Sequence, residues 1–325
     1  MKQSRFWSRL PVALCIIGGI AGTAQADSYP ERPIRFIVPY SVGGTSDLVG
    51  RLVGAKLGEE LGQQVVVDNR GGGGSTIGTT LLAEAAPDGY TLIVNNIGLA
   101  VNETLRPERA YVALRDLAPI SLAGFTPSVL VVNNAFPAKN VAEFVALAKA
   151  QPGKIAFGSA GAGSSTHLSM AYLLKIAKID LLHVPYKGGG PAVRDTMAGN
   201  VKCVMSPIPT VFGHLKAGRL RGIGVSGSKR SSVLPDIPTI TESGVPGYEF
   251  STWYGVLAPA KTPNAIITKI NQAMVKGLKS ADLRDKLGSL GMDAEPSTPE
   301  EFRKFIAGEI KKWREVIESS GINKS

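Results

Sequence analysis

The sequence predicts an α/β protein of two doubly wound lobes joined by two chain crossings, and three observations predict it. Short apolar runs alternate with stretches of helical period, which implies strands linked by helical crossovers and therefore parallel sheets. The alternation restarts after about residue 126, in a chain whose 325 residues are many for a single core. A last apolar run, Trp253 to Leu257, follows a long Pro- and Gly-rich connection, Ser231 to Phe250, and precedes only helical patterns. If that run returns to the first sheet, the chain crosses between the lobes twice, and lobes so joined hinge about a cleft.

The elements follow in order. Ile34 to Val38 reads as the first strand, and behind it Leu48, Val49, Leu52, Val53 and Leu57 recur at helical spacing with Thr45 or Ser46 as N-cap. Val65 to Val67 is a strand, Ile77 to Ala86 a helix, Pro87-Asp88-Gly89 a turn and Leu92 to Val94 a strand. In the second unit Val129 to Val132 is apolar, and Asn140 with Glu143 resembles a capping box for a helix from Val141 to Ala150, stopped by Pro152-Gly153. Ile155 to Phe157, Leu181 to Val184, Val201 to Met205 and Leu220 to Val225 read as strands, and Leu168 to Ala177 as a helix. Pro191 opens a further helix, at a position where a missing N–H is harmless. Three helices are expected over 263–279, 280–289 and 298–319. There is no internal repeat and no low-complexity tract.

The first 26 residues read as an export leader. Lys2, Arg5 and Arg9 precede an apolar run from Pro11 to Gly22, and Ala24-Gln25-Ala26 supplies the small residues of a cleavage site before Asp27. The run is about 12 residues, short of the roughly 20 that span a bilayer. Cleavage after Ala26 would leave 299 residues and lower the net charge from +10 to +7, because three cations go with the leader. Cys203 would then be the one cysteine left, inside a strand, where packing is its expected role. The remaining basic residues are scattered among acids and aromatics make up only 6%, so the stripe of cations and stacking rings that nucleic acid needs is absent. A mild positive field suits small anionic solutes instead.

Three glycine-bearing loops join strand to helix. They are Pro39 to Asp47 (PYSVGGTSD), Gly158 to His167 (GSAGAGSSTH) and Val184 to Gly190 (VPYKGGG). A helix start offers free N–H groups and the positive end of its dipole, and open α/β sheets place ligands at the carboxyl ends of their strands. Ser41, Thr45 and Ser46 add hydroxyl donors. One dipole end supplies only about 0.3–1 kcal/mol, while a micromolar complex needs about 8 kcal/mol, so both lobes have to contribute. A fourth glycine run, Asn69 to Ser75, reads as the flexible start of a helix, and Asn95 and Asn96 end a strand either at the cleft or in an Asx turn.

Catalytic and metal patterns are weak. No GxSxG occurs, and Ser164 and His167 stand three apart at one helix start, a spacing for capping rather than proton relay. His183 and His214 are isolated and lack metal-ligand spacing. Gly222 to Lys229, GIGVSGSK, misses the phosphate-binding loop because Ser stands where Lys is needed. No cofactor motif is present.

The loops also carry a resemblance. YPERPIRFIVPYSVGGTSD (29–47), VVVDNRGGGGSTIGT (65–79), PDGYTL (87–92), GSAGAGSSTHL (158–168), VPYKGGGPAV (184–193) and LPDIPTITESGVPGYE (234–249), with Trp253-Tyr254-Gly255, resemble the Bug family, the periplasmic receptors of tripartite tricarboxylate transporters. The likeness runs over the whole chain after the leader. It implies a Venus-flytrap receptor in the periplasm that hands a small carboxylate to membrane permease subunits, as a monomer and without catalysis. It implies lobe one over 27–126 and 252–325 and lobe two over 127–251. It also implies a ligand held by Tyr40, Ser41, Gly43, Gly44, Thr45 and Asp47 from the first turn. From the second come Ser159, Gly161, Gly163, Ser164, Ser165, Thr166 and His167, with Tyr186 and Lys187 nearby. Tyr40-Ser41-Val42 is the variable part of the first turn. Di- and tricarboxylates, aromatic carboxylates and amino acids all remain open as ligands. A carboxylate sensor feeding a signalling partner, or an exported hydrolase, are the alternative readings.

Overall fold

The computed structural model describes residues 28–320. The leader, its cleavage point after Ala26 and Cys15 lie outside the described residues. Lobe one opens with β1 (Ile34–Val38), α1 (Thr45–Leu61), β2 (Val65–Asn69), a 3-10 turn at Gly73–Ser75, α2 (Thr76–Ala83), β3 (Thr91–Asn96), α3 (Gly98–Leu105) and α4 (Ala113–Asp116). The chain leaves through β4 (Leu117–Val132), 16 residues long. Lobe two contains α5 (Val141–Ala150), β5 (Ala156–Ser159), α6 (Ser165–Ala177), β6 (Leu182–Pro185), α7 (Gly189–Ala198), β7 (Cys203–Pro207), α8 (Ile208–Lys216) and β8 (Arg221–Val225). Then β9 (Ser251–Pro259) returns to lobe one, followed by α9 (Asn264–Lys279), α10 (Ala281–Ser289), β10 (Asp293–Ala294) and α11 (Pro299–Ser320).

The strand order is β2-β1-β3-β9-β4-β7-β5-β6. Strands β1, β2 and β3 are parallel, and so are β5, β6 and β7, as the strand–helix alternation predicts. The crossing strands are not: β9 runs antiparallel to β3 and β4, and β4 runs antiparallel to β7 and β8. A chain that goes out and comes back through neighbouring strands has to reverse direction between them. Leu117 to Pro127 of β4 pairs with β9, and Ser128 to Val132 pairs with β7 and β8, so one strand serves both lobes.

The first half of β4 is hard to read because Pro119 and Pro127 interrupt its pattern and its register slips between Pro119 and Ser121 and between Leu122 and Gly124. Directly opposed residues share a sheet face, so Thr126 with Thr252 and Gly124 with Tyr254 make one face polar, while Phe125 with Trp253 makes the other aromatic. Phe305 of α11 meets Phe125 and Trp253 edge-on at 5.7 Å each. The Trp253 and Trp313 indoles both donate to Glu309 at 3.1 Å. Helix α11 thereby packs on the aromatic face, while on the polar face the Thr126 hydroxyl donates to the Gly291 carbonyl at 2.8 Å.

Several local expectations need correction. Gly44, not Thr45 or Ser46, is the N-cap of α1, with no side-chain cap bond. Those two hydroxyls sit inside the first turn and are spent on tertiary partners. Helix α7 begins at Gly189, two residues before Pro191, which still lies in the first turn. Helices α3 and α8 were not foreseen. The expected cap at α5 forms, with the Asn140 side chain accepting from the Glu143 N–H at 2.8 Å. The reciprocal bond is displaced by one residue, the Glu143 carboxylate accepting from the Lys139 N–H at 2.7 Å and from the Asn140 side-chain amide at 2.8 Å. Cys203 is fully buried, and burial pushes its thiol pKa well up, consistent with a packing role.

Candidate functional site

The three predicted loops come together between the lobes. Loop one carries β1 into α1, loop two carries β5 into α6, and loop three carries β6 into α7. The Ser41 N–H and its hydroxyl both donate to the Lys187 carbonyl, at 3.0 and 3.1 Å. Loops one and three approach so closely that a Cβ on Gly190 would lie 2.6 Å from the Val42 carbonyl. Glycine is therefore needed here for proximity. The fourth glycine run belongs to the same contact rather than being a flexible helix start. Gly74 has φ +60°, and a Cβ there would stand 2.2 Å from the Ala162 carbonyl of loop two.

Behind these contacts is a cavity walled by Tyr40, Gly44, Thr45, Ser46, Asn96, Ala160, Ser165, Thr166, Gly189, Pro207, Thr210 and Tyr254. Thr45, Ser165 and Gly189 are the first residues of α1, α6 and α7, and Thr210 lies in the first turn of α8. Four helix starts thus share one wall, and their free N–H groups and dipoles make it electropositive without a formal charge. No Lys, Arg, Asp or Glu lines it. Thr45 Oγ1 and Thr210 Oγ1 are 2.6 Å apart and tie the lobes directly. The Tyr40 hydroxyl donates to Asn96 Oδ1 at 3.1 Å, and the Asn96 amide donates to Ser46 Oγ at 3.3 Å. Burial pushes the pKa of Tyr40 and Tyr254 well above the usual phenol value, so both stay protonated donors. The cavity holds about 20 Å³, space for one or two waters. A solute of several heavy atoms does not fit this volume.

Of the residues expected at the site, Tyr40, Gly44, Thr45, Ser165 and Thr166 line this cavity. Ser41, Gly161, Tyr186 and Lys187 line an open groove beside it. Asp47 points back into loop one, accepting from the Gly43 N–H and from the Asn69 amide at 3.0 Å each and pairing with Arg51. Ser159, Ser164 and His167 turn into lobe two. The Ser159 hydroxyl, fully buried, lies 2.6 Å from His183 Nε2 and accepts from the Gly161 N–H. Ser164 caps α6 and donates to the Gly161 carbonyl at 2.6 Å. Gly163 packs on Asn102 and donates to His167 Nδ1.

His183 is not isolated, as the sequence suggested: it stacks between His167 at 4.4 Å and Phe157 at 4.8 Å. Desolvation lowers the pKa of both rings, that of His167 to about 4 with the His183 charge as the second cause. Among the described residues no cluster of His, Cys, Asp or Glu is set to hold a metal ion. The wall residues outside the expected set are Ser46, Asn96, Ala160 and Gly189, which belong to or adjoin elements already read, and Pro207, Thr210 and Tyr254, which come from β7–α8 and β9. Only recognition of α8 in the sequence would have found Thr210.

A family model described as the tripartite tricarboxylate transporter family receptor matches residues 49–322. The chain belongs to this receptor family. It is 38% identical to Protein BugT of Bordetella pertussis over 307 residues, 93% of this chain and 94% of that protein. Among solved structures, periplasmic binding protein BugD superposes with a TM-score of 0.88 at 31% identity, over 91% of this chain and 100% of that one. Two Rhodopseudomonas palustris proteins are as similar, each at 32% identity. One, solved with adipate, gives a TM-score of 0.87 over 90% of this chain and 98% of that one, and MatC, solved with malate, gives 0.85 over 89% and 100%. The receptor's two-lobed α/β architecture is thus that of the periplasmic binding proteins. No helix among its described residues is long and apolar enough to cross a membrane.

Proposed function

We propose that the receptor captures a small carboxylate between its lobes in the periplasm and delivers it, unchanged, to the permease subunits of a tripartite transporter. The observation that carries this reading is the cavity wall, where the starts of α1, α6, α7 and α8 meet hydroxyls from both lobes and no formal charge. Such a wall satisfies a carboxylate with N–H and O–H donors. Among the described residues the Ser–His side-chain pair, Ser159 with His183, is closed off from solvent at the serine. Malate and adipate bound to similar proteins support the ligand class.

On this reading lobe one is 27–126 with 252–325, lobe two is 127–251, and the hinge lies where β4 and β9 pass between them. The leader sends the chain out of the cytoplasm and is removed after Ala26, and the mature protein works as a monomer. In the cavity Thr45, Ser165, Thr166 and the N–H groups of Gly44 and Gly189 hold the acid, and Tyr40 shapes its far side. Ser159, Ser164 and His167 hold loop two in form. Calorimetry of the mature protein against malate, adipate, citrate, aromatic acids and amino acids is the direct test. One acid at least should bind one-to-one and be recovered intact, and no heat with any of them overturns the proposal.

A further inference from the structure

Beside the cavity the same loops and the glycine run frame an open groove of about 690 Å³. Cavity and groove share a wall: Tyr40, Ala160 and Gly189 face the first, while Ser41, Gly161 and Pro191 face the second. The Tyr40 hydroxyl stands 3.4 Å from the Gly74 carbonyl at the partition. The groove differs from the cavity in charge. Arg106, at the end of α3 in lobe one, and Lys187, on loop three of lobe two, both line it, and no acidic residue does.

Neither cation makes an ion pair among the described residues. Arg106 Nε is buried with no hydrogen-bond partner. Arg109, three residues on, shows the contrast, since its guanidinium is paired with Glu103 and donates to the carbonyls of Glu103 and Arg106. Asp195 of α7 accepts from the hydroxyl of Tyr186, a groove residue, at 2.6 Å. A buried guanidinium donor without an acceptor is unfavourable, and a planar carboxylate is the acceptor its fork geometry matches.

We propose that this groove is an anion subsite that takes a carboxylate between Arg106 and Lys187. Its occupant is the second carboxylate of a diacid whose first lies in the cavity, a step that rests on the function proposed above. One cation comes from each lobe, so the subsite is complete only when the lobes meet. An anion there holds the closed arrangement and selects diacids over monoacids. The cavity, lined by neutral donors, accepts either.

The test titrates wild type, Arg106→Gln, Lys187→Gln and Lys187→Arg with adipate and with hexanoate, each with and without added acetate. Circular dichroism and thermal midpoints confirm that the variants fold, and Lys187, being exposed, is the safer site. Adipate affinity should fall tenfold or more in both Gln variants and recover in Lys187→Arg, while hexanoate affinity changes less than twofold. A loss that is equal for both acids, and seen only with acetate present, also supports a carboxylate in the groove but assigns it to a separate ion. Wild type that binds adipate, with Gln variants that bind it equally well, overturns the subsite alone. Wild type that binds neither adipate nor hexanoate overturns this inference, whereas the proposed function falls only when the whole acid panel gives no heat.

Discussion

At Gly74 one methyl group decides whether the lobes can meet. Its φ of +60° and the 2.2 Å from a Cβ to the Ala162 carbonyl allow hydrogen and nothing larger. Gly74→Ala should weaken ligand binding at least tenfold, measured by calorimetry, while backbone strain lowers stability by only about 1–2 kcal/mol. Unchanged affinity would mean that this approach plays no part in closure. Thr45→Ala removes the 2.6 Å hydroxyl contact with Thr210 and should weaken binding by about 0.5–3 kcal/mol. His167 titrates at about 4, below its ordinary 6.5, because it is buried and faces His183. Folding therefore favours the neutral ring. Between pH 6.5 and 4 the unfolded chain binds the proton more readily, so stability should fall as pH drops through that window. In His167→Asn, which keeps an acceptor for the Gly163 N–H, the fall in thermal midpoint should be shallower, and an identical slope would assign the effect elsewhere.

Elements differ in how openly the sequence declares them. Helix α5 is explicit, since Asn140 and Glu143 supply the cap chemistry locally and Asn140→Ala should cost about 1 kcal/mol in thermal unfolding. Strand β9 is legible as an apolar run, but its central Gly255 is not explained until α11 arrives. A Cβ there would stand 2.1 Å from the buried Phe302 ring, so Gly255→Ala should destabilise by about 1–3 kcal/mol, as overpacking does. Helix α8 stayed hidden because its nine residues follow a strand without a polar cap, its N-cap being Pro207. Thr210, one half of the contact between lobes, was hidden with it. The loops at the site were legible because glycines, hydroxyls and helix starts are local signals. Which hydroxyls face the cavity was not, because Ser159 and Ser164 are drawn inward by His183 and the Gly161 carbonyl, partners from their own lobe.

At the scale of the molecule, β4 and β9 are the strands that link the two parallel sets, and on the proposed function the lobes turn along them, because a cavity of about 20 Å³ leaves no room for a solute. The pair Thr45→Cys with Thr210→Cys should cross-link the lobes on oxidation, since Cys203 is buried and cannot compete. The oxidised protein should bind no acid and the reduced protein should recover, whereas binding to the cross-linked form would show that solute enters without opening. The sequence alone determined the strand–helix alternation, the restart that makes two lobes, the glycine turns and the family likeness, because these depend on residues near one another in the chain. The tertiary structure alone decided that the crossing strands run antiparallel, that the glycine run at Gly74 meets loop two, that His183 stacks on His167, and that Arg106 and Lys187 share a groove. Each of those joins different elements of the chain, and backbone proximity between such segments leaves no local pattern beyond the absence of a side chain.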